Sequence, residues 1–146
     1  MNRVQRIREK LITMHSMASR ARDLFALAGA AYDPERPEDI PDAMLALERA
    51  LYLAAQDLID VATMAARSLT DGEAPPTYAD TFGVLAAHGA IGDGLATRLI
   101  AMAALRNRLA HDYAGLDRVR LLSFEARMDD FDEFARAIVL WLEQRE

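Results

Sequence analysis

Apolar residues recur along this chain in steps of three and four, and hardly anywhere in the two-residue alternation of a half-buried strand. Alanine and leucine dominate, and no alternating run of Val, Ile and Thr offers a competing strand. That period points to an all-α fold, an up-and-down bundle of about five helices. The first is expected from about Arg3 to Ala28, on a stripe of Ile7, Leu11, Met14, Ala18, Ala21 and Phe25, with Gly29 as its end. A proline-broken polar loop, Tyr32 to Asp39, follows. The second helix runs from about Pro41 to Leu69, its stripe of Met44, Leu51, Ala55, Leu58, Ala62 and Ala65 widened by Tyr52, Ile59 and Ala66. Asp71-Gly72 stops it. A short third helix covers Tyr78 to Ala87, ended by Gly89. The fourth, capped by Asp93, carries Leu95, Leu99, Met102 and Leu105 to His111, with Gly115 beyond. The fifth, capped by Asp117, is expected as one continuous helix on Leu121, Phe124, Met128, Phe131, Ala135, Ile138 and Leu142. No repeat, low-complexity tract or long linker divides the chain, so residues 1–146 read as one domain.

Composition narrows the function classes. No run of about 18 apolar residues is present to span a bilayer. The basic N-terminal stretch from Arg3 to Arg8 lacks the apolar block and cleavage site of a secretory signal. There is no cysteine, which excludes disulfides and thiolate metal sites and makes a cytoplasmic location the expectation. The net charge of −6 argues against a protein whose whole surface grips nucleic acid. All the basic residues except Lys10 are arginine, however, and Arg98, Arg106, Arg108, Arg118 and Arg120 lie close in sequence. That clustering leaves room for a local positive cleft on an acidic body, against the overall charge.

The segment Arg106-Asn107-Arg108-Leu109-Ala110-His111-Asp112-Tyr113 concentrates the chemistry. On a helix turning about 100° per residue, Arg106, Asn107, His111 and Tyr113 share one side, and Ala110 leaves room among them. Met102, Leu105 and Leu109 face the other way, toward the core. Asn107 and His111, four apart, are placed to touch. Histidine can move a proton near neutral pH. Arginine holds a phosphate through a planar fork and can stabilise the charge of a phosphorane. RNA brings its own nucleophile, the 2′-hydroxyl, so this set needs neither metal nor cofactor. The expected products are a cyclic phosphate and a 5′-hydroxyl end. Arginine and histidine also gather near helix C-termini for electrostatic reasons alone, so spacing by itself makes this a candidate site only.

A wider pattern adds to it. Asp80-Thr81-Phe82-Gly83-Val84-Leu85-Ala86, Gly89-Ala90-Ile91, Leu95-Ala96, Met102, Arg106-Asn107 and Leu109 to Tyr113 together resemble the core of HepT-like toxins of the HEPN superfamily. Their signature is an Arg followed by a polar residue, a His five positions after the Arg, and a Tyr two further on. Here these are Arg106, Asn107, His111 and Tyr113. The resemblance reaches back weakly through Asp60-Val61-Ala62 and fades before Ile40. Ala110 stands where a larger aliphatic is frequent. The resemblance implies a dimeric helical bundle with its site at the two-fold cleft, and metal-independent RNA cleavage. It also implies a nucleotidyltransferase antitoxin of the MNT type as partner, which adds AMP to the motif tyrosine, Tyr113. A bulky anionic adduct there would repel RNA. Arg106 would then stabilise the scissile phosphate, His111 serve as general acid or base, and Asn107 orient His111 or touch RNA. The other reading is a non-catalytic helical dimer that binds a nucleotidyltransferase; a scaffold with no nucleic-acid role fits least.

Several residues outside the motif have expectations of their own. Asp60, inside an apolar helix, is a candidate to hold Arg106 or Arg108 in place. Arg108 points off the shared side but could reach RNA or a partner. Glu48 interrupts its apolar stripe and is expected at the stripe's edge, where it could pair with an arginine at a dimer interface. Asp112 is expected in solvent. His15 and His88 have no partner at ligand spacing, and the methionines read as core filler.

Overall fold

A computed structural model describes residues 1–145, which form six α-helices and two short 3-10 turns, with no strand among them. The helices are α1 (Arg3–Ala31), α2 (Asp42–Arg67), α3 (Tyr78–Ala87), α4 (Asp93–His111), α5 (Arg118–Leu122) and α6 (Asp129–Gln144). The 3-10 turns are Tyr113–Gly115 and Ser123–Arg127. No helix among the described residues is long and apolar enough to cross a membrane.

Local chemistry sets most boundaries. Asn2 and Gln5 close the start of α1 reciprocally: the Asn2 side chain accepts from the Gln5 N–H at 2.9 Å, and the Gln5 side chain from the Asn2 N–H at 3.1 Å. The α1 helix passes through Gly29, beside the Leu122 side chain, and ends at Ala31, later than expected. Thr77 caps α3 and Asp117 caps α5 through their side chains. Gly89, at φ +75°, ends α3: its N–H reaches the Ala86 carbonyl and that of Ala90 reaches Leu85. The N-cap of α4 is Gly92, and Asp93 instead sits in the first turn, where a carboxylate favours the helix dipole.

The expected fifth helix is split. A 3-10 segment, Ser123–Arg127, separates α5 from α6. Spacings of three and four keep Leu121, Phe124 and Met128 inward through that tighter turn. The α6 helix then starts under Asp129, Asp130 and Asp132. Asp130 is buried, and its carboxylate accepts from Arg98 Nε at 2.9 Å. The break rephases the stripe, so Phe134 and Trp141 are buried and Ala135 only half so.

Cross-helix contacts give the topology. Lys10 meets Asp60 and Thr13 meets Asp57, so α1 and α2 run antiparallel. Arg106 meets Gln56 and Tyr113 meets Glu48, so α4 also runs against α2. Arg22 binds Asp129 and Asp132 at 3.0 and 2.7 Å, which ties α6 to α1. The α2 helix lies at the centre, buried from Met44 to Ala66 on most of its circumference. One core takes side chains from all six helices, including Phe82, Leu99 and Phe131.

Candidate functional site

Because α2 is wrapped by neighbours, its polar residues need an explanation. Glu48, Tyr52, Gln56 and Asp60 stand four apart and form one ridge of polar groups along α2. The C-terminal half of α4 lies along this ridge. Between them opens a groove of about 480 Å³, walled by Glu48, Arg49 and Tyr52 on one side and by Arg106, Leu109, Ala110, His111 and Tyr113 on the other.

Arg106 is held at three points. Its Nε donates to Gln56 Oε1 at 2.7 Å, its Nη1 donates to Asn107 Oδ1 at 3.1 Å, and its guanidinium lies 5.7 Å from the centre of the Tyr52 ring. Gln56 is itself fixed, its amide donating to Asp60 Oδ1 at 2.8 Å, while Lys10 donates to Asp60 Oδ2 at 3.0 Å. That hydrogen bond raises the Lys10 pKa above its ordinary value. A relay of Lys10, Asp60, Gln56 and Arg106 thus crosses three helices. Asp60, a candidate to hold Arg106 or Arg108, is connected to Arg106 only through Gln56 and does not touch it.

Asn107 binds Arg106 and not His111. The amide was placed within reach of both, and the cation offers it the stronger, charge-assisted hydrogen bond. His111 is exposed at the end of α4 with no hydrogen-bond partner among the described residues. Its ring borders the groove and is free to meet a ligand.

Tyr113 lies two residues past the end of α4, in the 3-10 turn, so the helical angle does not apply to it. It still reaches the groove, because its hydroxyl donates to Glu48 Oε1 at 2.6 Å. Glu48, 4% exposed, also accepts from Arg118 Nε at 2.8 Å, and the Arg118 guanidinium lies 5.1 Å from the Tyr113 ring centre. The expected arginine partner of Glu48 is therefore found within the same chain. Burial and the Glu48 carboxylate push the Tyr113 phenol above its usual pKa of 10.0. Burial alone would lower the pKa of Arg118, but Glu48 raises it overall.

The raised phenol favours the neutral side chain in the folded state. Its stability contribution is whole below pH 10 and is lost as pH rises through the shifted value. Difference absorbance between the native chain and Tyr113→Phe should show one phenol ionising above the free-tyrosine range. Ionisation at or below pH 10 would contradict the Glu48 contact.

The expected arginine cluster is dispersed. Arg98 is taken by Asp130 and Glu133, and Arg118 by Glu48. Arg108 and Arg120 line a separate hollow with Leu116 and Phe124, on the other side of α4. Arg106 is the motif cation that remains in the groove, joined by Arg49 from α2. Leu109, expected in the core, forms part of the groove wall because α2 packs beside it. Asp112 is exposed, as expected. Arg49 and Gln56 escaped the sequence reading, and Tyr52 entered it only as part of the apolar stripe, although the four-residue spacing of Glu48, Tyr52, Gln56 and Asp60 was a visible trace. Among the described residues, no three His, Asp or Glu side chains come together as a metal site requires.

The fold is similar to that of the tri-AMPylated Shewanella oneidensis HEPN toxin solved in complex with MNT antitoxin. The two are 23% identical over 96% of this chain and 99% of that one, with a TM-score of 0.76. A tyrosine-to-alanine mutant of the toxin–antitoxin MntA-HpeT matches at 21% identity over 92% and 98% of the two chains, with a TM-score of 0.74. YutE, a cytosolic protein of unknown function from Bacillus subtilis, matches at 20% identity over 94% and 92%, with a TM-score of 0.68. A search of curated proteins returns no significant match. The family model described as "Ribonuclease HepT-like" matches residues 7–138, reaching well before Ile40, where the resemblance faded to the eye. With Arg106, His111 and Tyr113 lining one groove and nearly its whole length matched, the chain belongs to the HepT-like ribonuclease family.

Proposed function

We propose that the chain is a metal-independent endoribonuclease toxin, held in check by an MNT-type nucleotidyltransferase that attaches AMP to Tyr113. The observation that carries this reading is the groove itself: an arginine fixed by neutral partners, an unengaged histidine and a tyrosine line one cavity. Arg106 binds the scissile phosphodiester through its remaining N–H groups. The RNA 2′-oxygen attacks phosphorus and the bond to the 5′-oxygen breaks, leaving a 2′,3′-cyclic phosphate and a 5′-hydroxyl. His111 takes the proton from the 2′-hydroxyl or supplies one to the leaving oxygen. Arg106 balances the charge that builds on the phosphorane. Asn107 acts through Arg106, and Asp60 acts through Gln56.

Family membership and the two toxin–antitoxin neighbours support the pairing with an antitoxin. An AMP group on Tyr113 would enter the groove, set a second anion beside the buried Glu48 and exclude RNA. A homodimer that brings two grooves together across a two-fold axis would double the cationic and proton-transfer groups.

Induced expression of the chain alone in a bacterial culture, beside His111→Ala, tests the reading. Arrest by the native chain, normal growth of the variant and new RNA ends bearing 5′-hydroxyl groups are expected. Arrest by both chains would remove His111 from the mechanism. Equal growth, with unmodified Tyr113 shown by mass analysis, would favour a non-catalytic partner of a nucleotidyltransferase.

A further inference from the structure

We propose that Arg49 forms a second phosphate-binding point in the groove, so that a single RNA strand is held at the scissile phosphate by Arg106 and at a neighbouring phosphate by Arg49. This rests on reading the groove as an RNA site and adds to it a residue outside the motif.

Arg49 and Arg106 share one aromatic ring. The Arg49 guanidinium lies 5.6 Å from the Tyr52 ring centre and that of Arg106 lies 5.7 Å away. The two cations are therefore no further apart than those two distances together, a span that a strand covers within a nucleotide or two. Both line the same groove. Arg49 is exposed and makes no hydrogen bond or ion pair among the described residues. Arg106 is held by two neutral oxygens, which leave its charge uncancelled. The acidic side chain in the wall, Glu48, is already engaged by Arg118 and by the Tyr113 hydroxyl. Two like charges held close on a protein of net charge −6 repel each other until an anion lies between them. A polyanion with evenly spaced phosphates relieves both at once. Tyr52 gives both guanidiniums a shared aromatic contact.

The test is the salt dependence of binding. A fluorescent single-stranded oligoribonucleotide is titrated with the His111→Ala chain, which keeps the strand intact, and with the same chain also carrying Arg49→Ala, Arg49→Lys or Arg136→Ala. Arg136 lies on α6 away from the groove, so its loss removes equal net charge elsewhere. The Arg49→Ala chain should bind about tenfold more weakly. Its slope of log affinity against log salt should be shallower by about 0.7, the release of one phosphate contact on a single strand. Arg49→Lys should retain the slope, and Arg136→Ala should match the parent. An unchanged slope for Arg49→Ala, or an equal fall for Arg136→Ala, would overturn the proposal, as would no binding by the parent. A changed slope, together with no cleavage of the same oligoribonucleotide by the native chain with His111 intact, would uphold the phosphate contact and sink the nuclease reading instead.

Discussion

Arg106→Ala should slow RNA cleavage by about 10²–10³-fold, the usual loss when one preorganised donor to a developing anion is removed. Arg106→Lys should recover little of it. In the native groove, Nε is spent on Gln56 and Nη1 on Asn107, while the flat face rests on Tyr52. The guanidinium can keep these supports and still present N–H groups to a phosphate. An ammonium is a single point that cannot serve two neutral oxygens and the phosphate in that geometry. Single-turnover kinetics on a defined oligoribonucleotide would measure the effect. A loss below threefold for Arg106→Ala, or near-native cleavage by Arg106→Lys, would show that the charge or its fixed direction is not used.

The second large effect is on stability. Glu48→Ala should destabilise the fold by about 3–5 kcal/mol, because it leaves a buried guanidinium without its counter-ion. The Arg118 side chain is 8% exposed and that of Glu48 5%, and the pair joins the middle of the bundle to the segment after α4. For a chain of this size the melting temperature should fall by roughly 10 °C or more. Removing both charges together, as in Glu48→Leu with Arg118→Met, should cost far less, because apolar groups of similar volume fill the space without stranding an ion. Thermal and denaturant melts of the three variants decide it. If the double variant is as unstable as Glu48→Ala, packing rather than the uncompensated charge dominates.

The stripes that bury α1, α2 and α4 were plain in the sequence because each helix covers a long face and repeats its apolar spacing several times. The break at Ser123–Arg127 was not. Leu121, Phe124 and Met128 suit an α-helix and a tighter turn equally well, and no proline or glycine marks the change. At the site, Arg106 and His111 were legible since four or five residues along one helix fix who shares a side. Glu48, Tyr113 and Arg118 were not legible as a group: they meet across separations of 65 and 70 residues, and only packing of α4 on α2 brings them together. Nothing in the sequence singles out Gln56, whose two hydrogen bonds place it between Asp60 and Arg106.

The contact between Tyr113 and Glu48 depends on a single hydrogen atom. A free phenol has one to give, and the buried carboxylate receives it at 2.6 Å. A phosphate ester of the same oxygen has none. Two oxygens that can only accept, one of them on an anion, have no reason to remain side by side. Esterification would thus evict the ring from its berth as well as enlarge it, and the turn Tyr113–Gly115 that carries the ring would lose its anchor to α2. Glu48 would still have Arg118, so the core beneath would stay closed while the rim above it came loose.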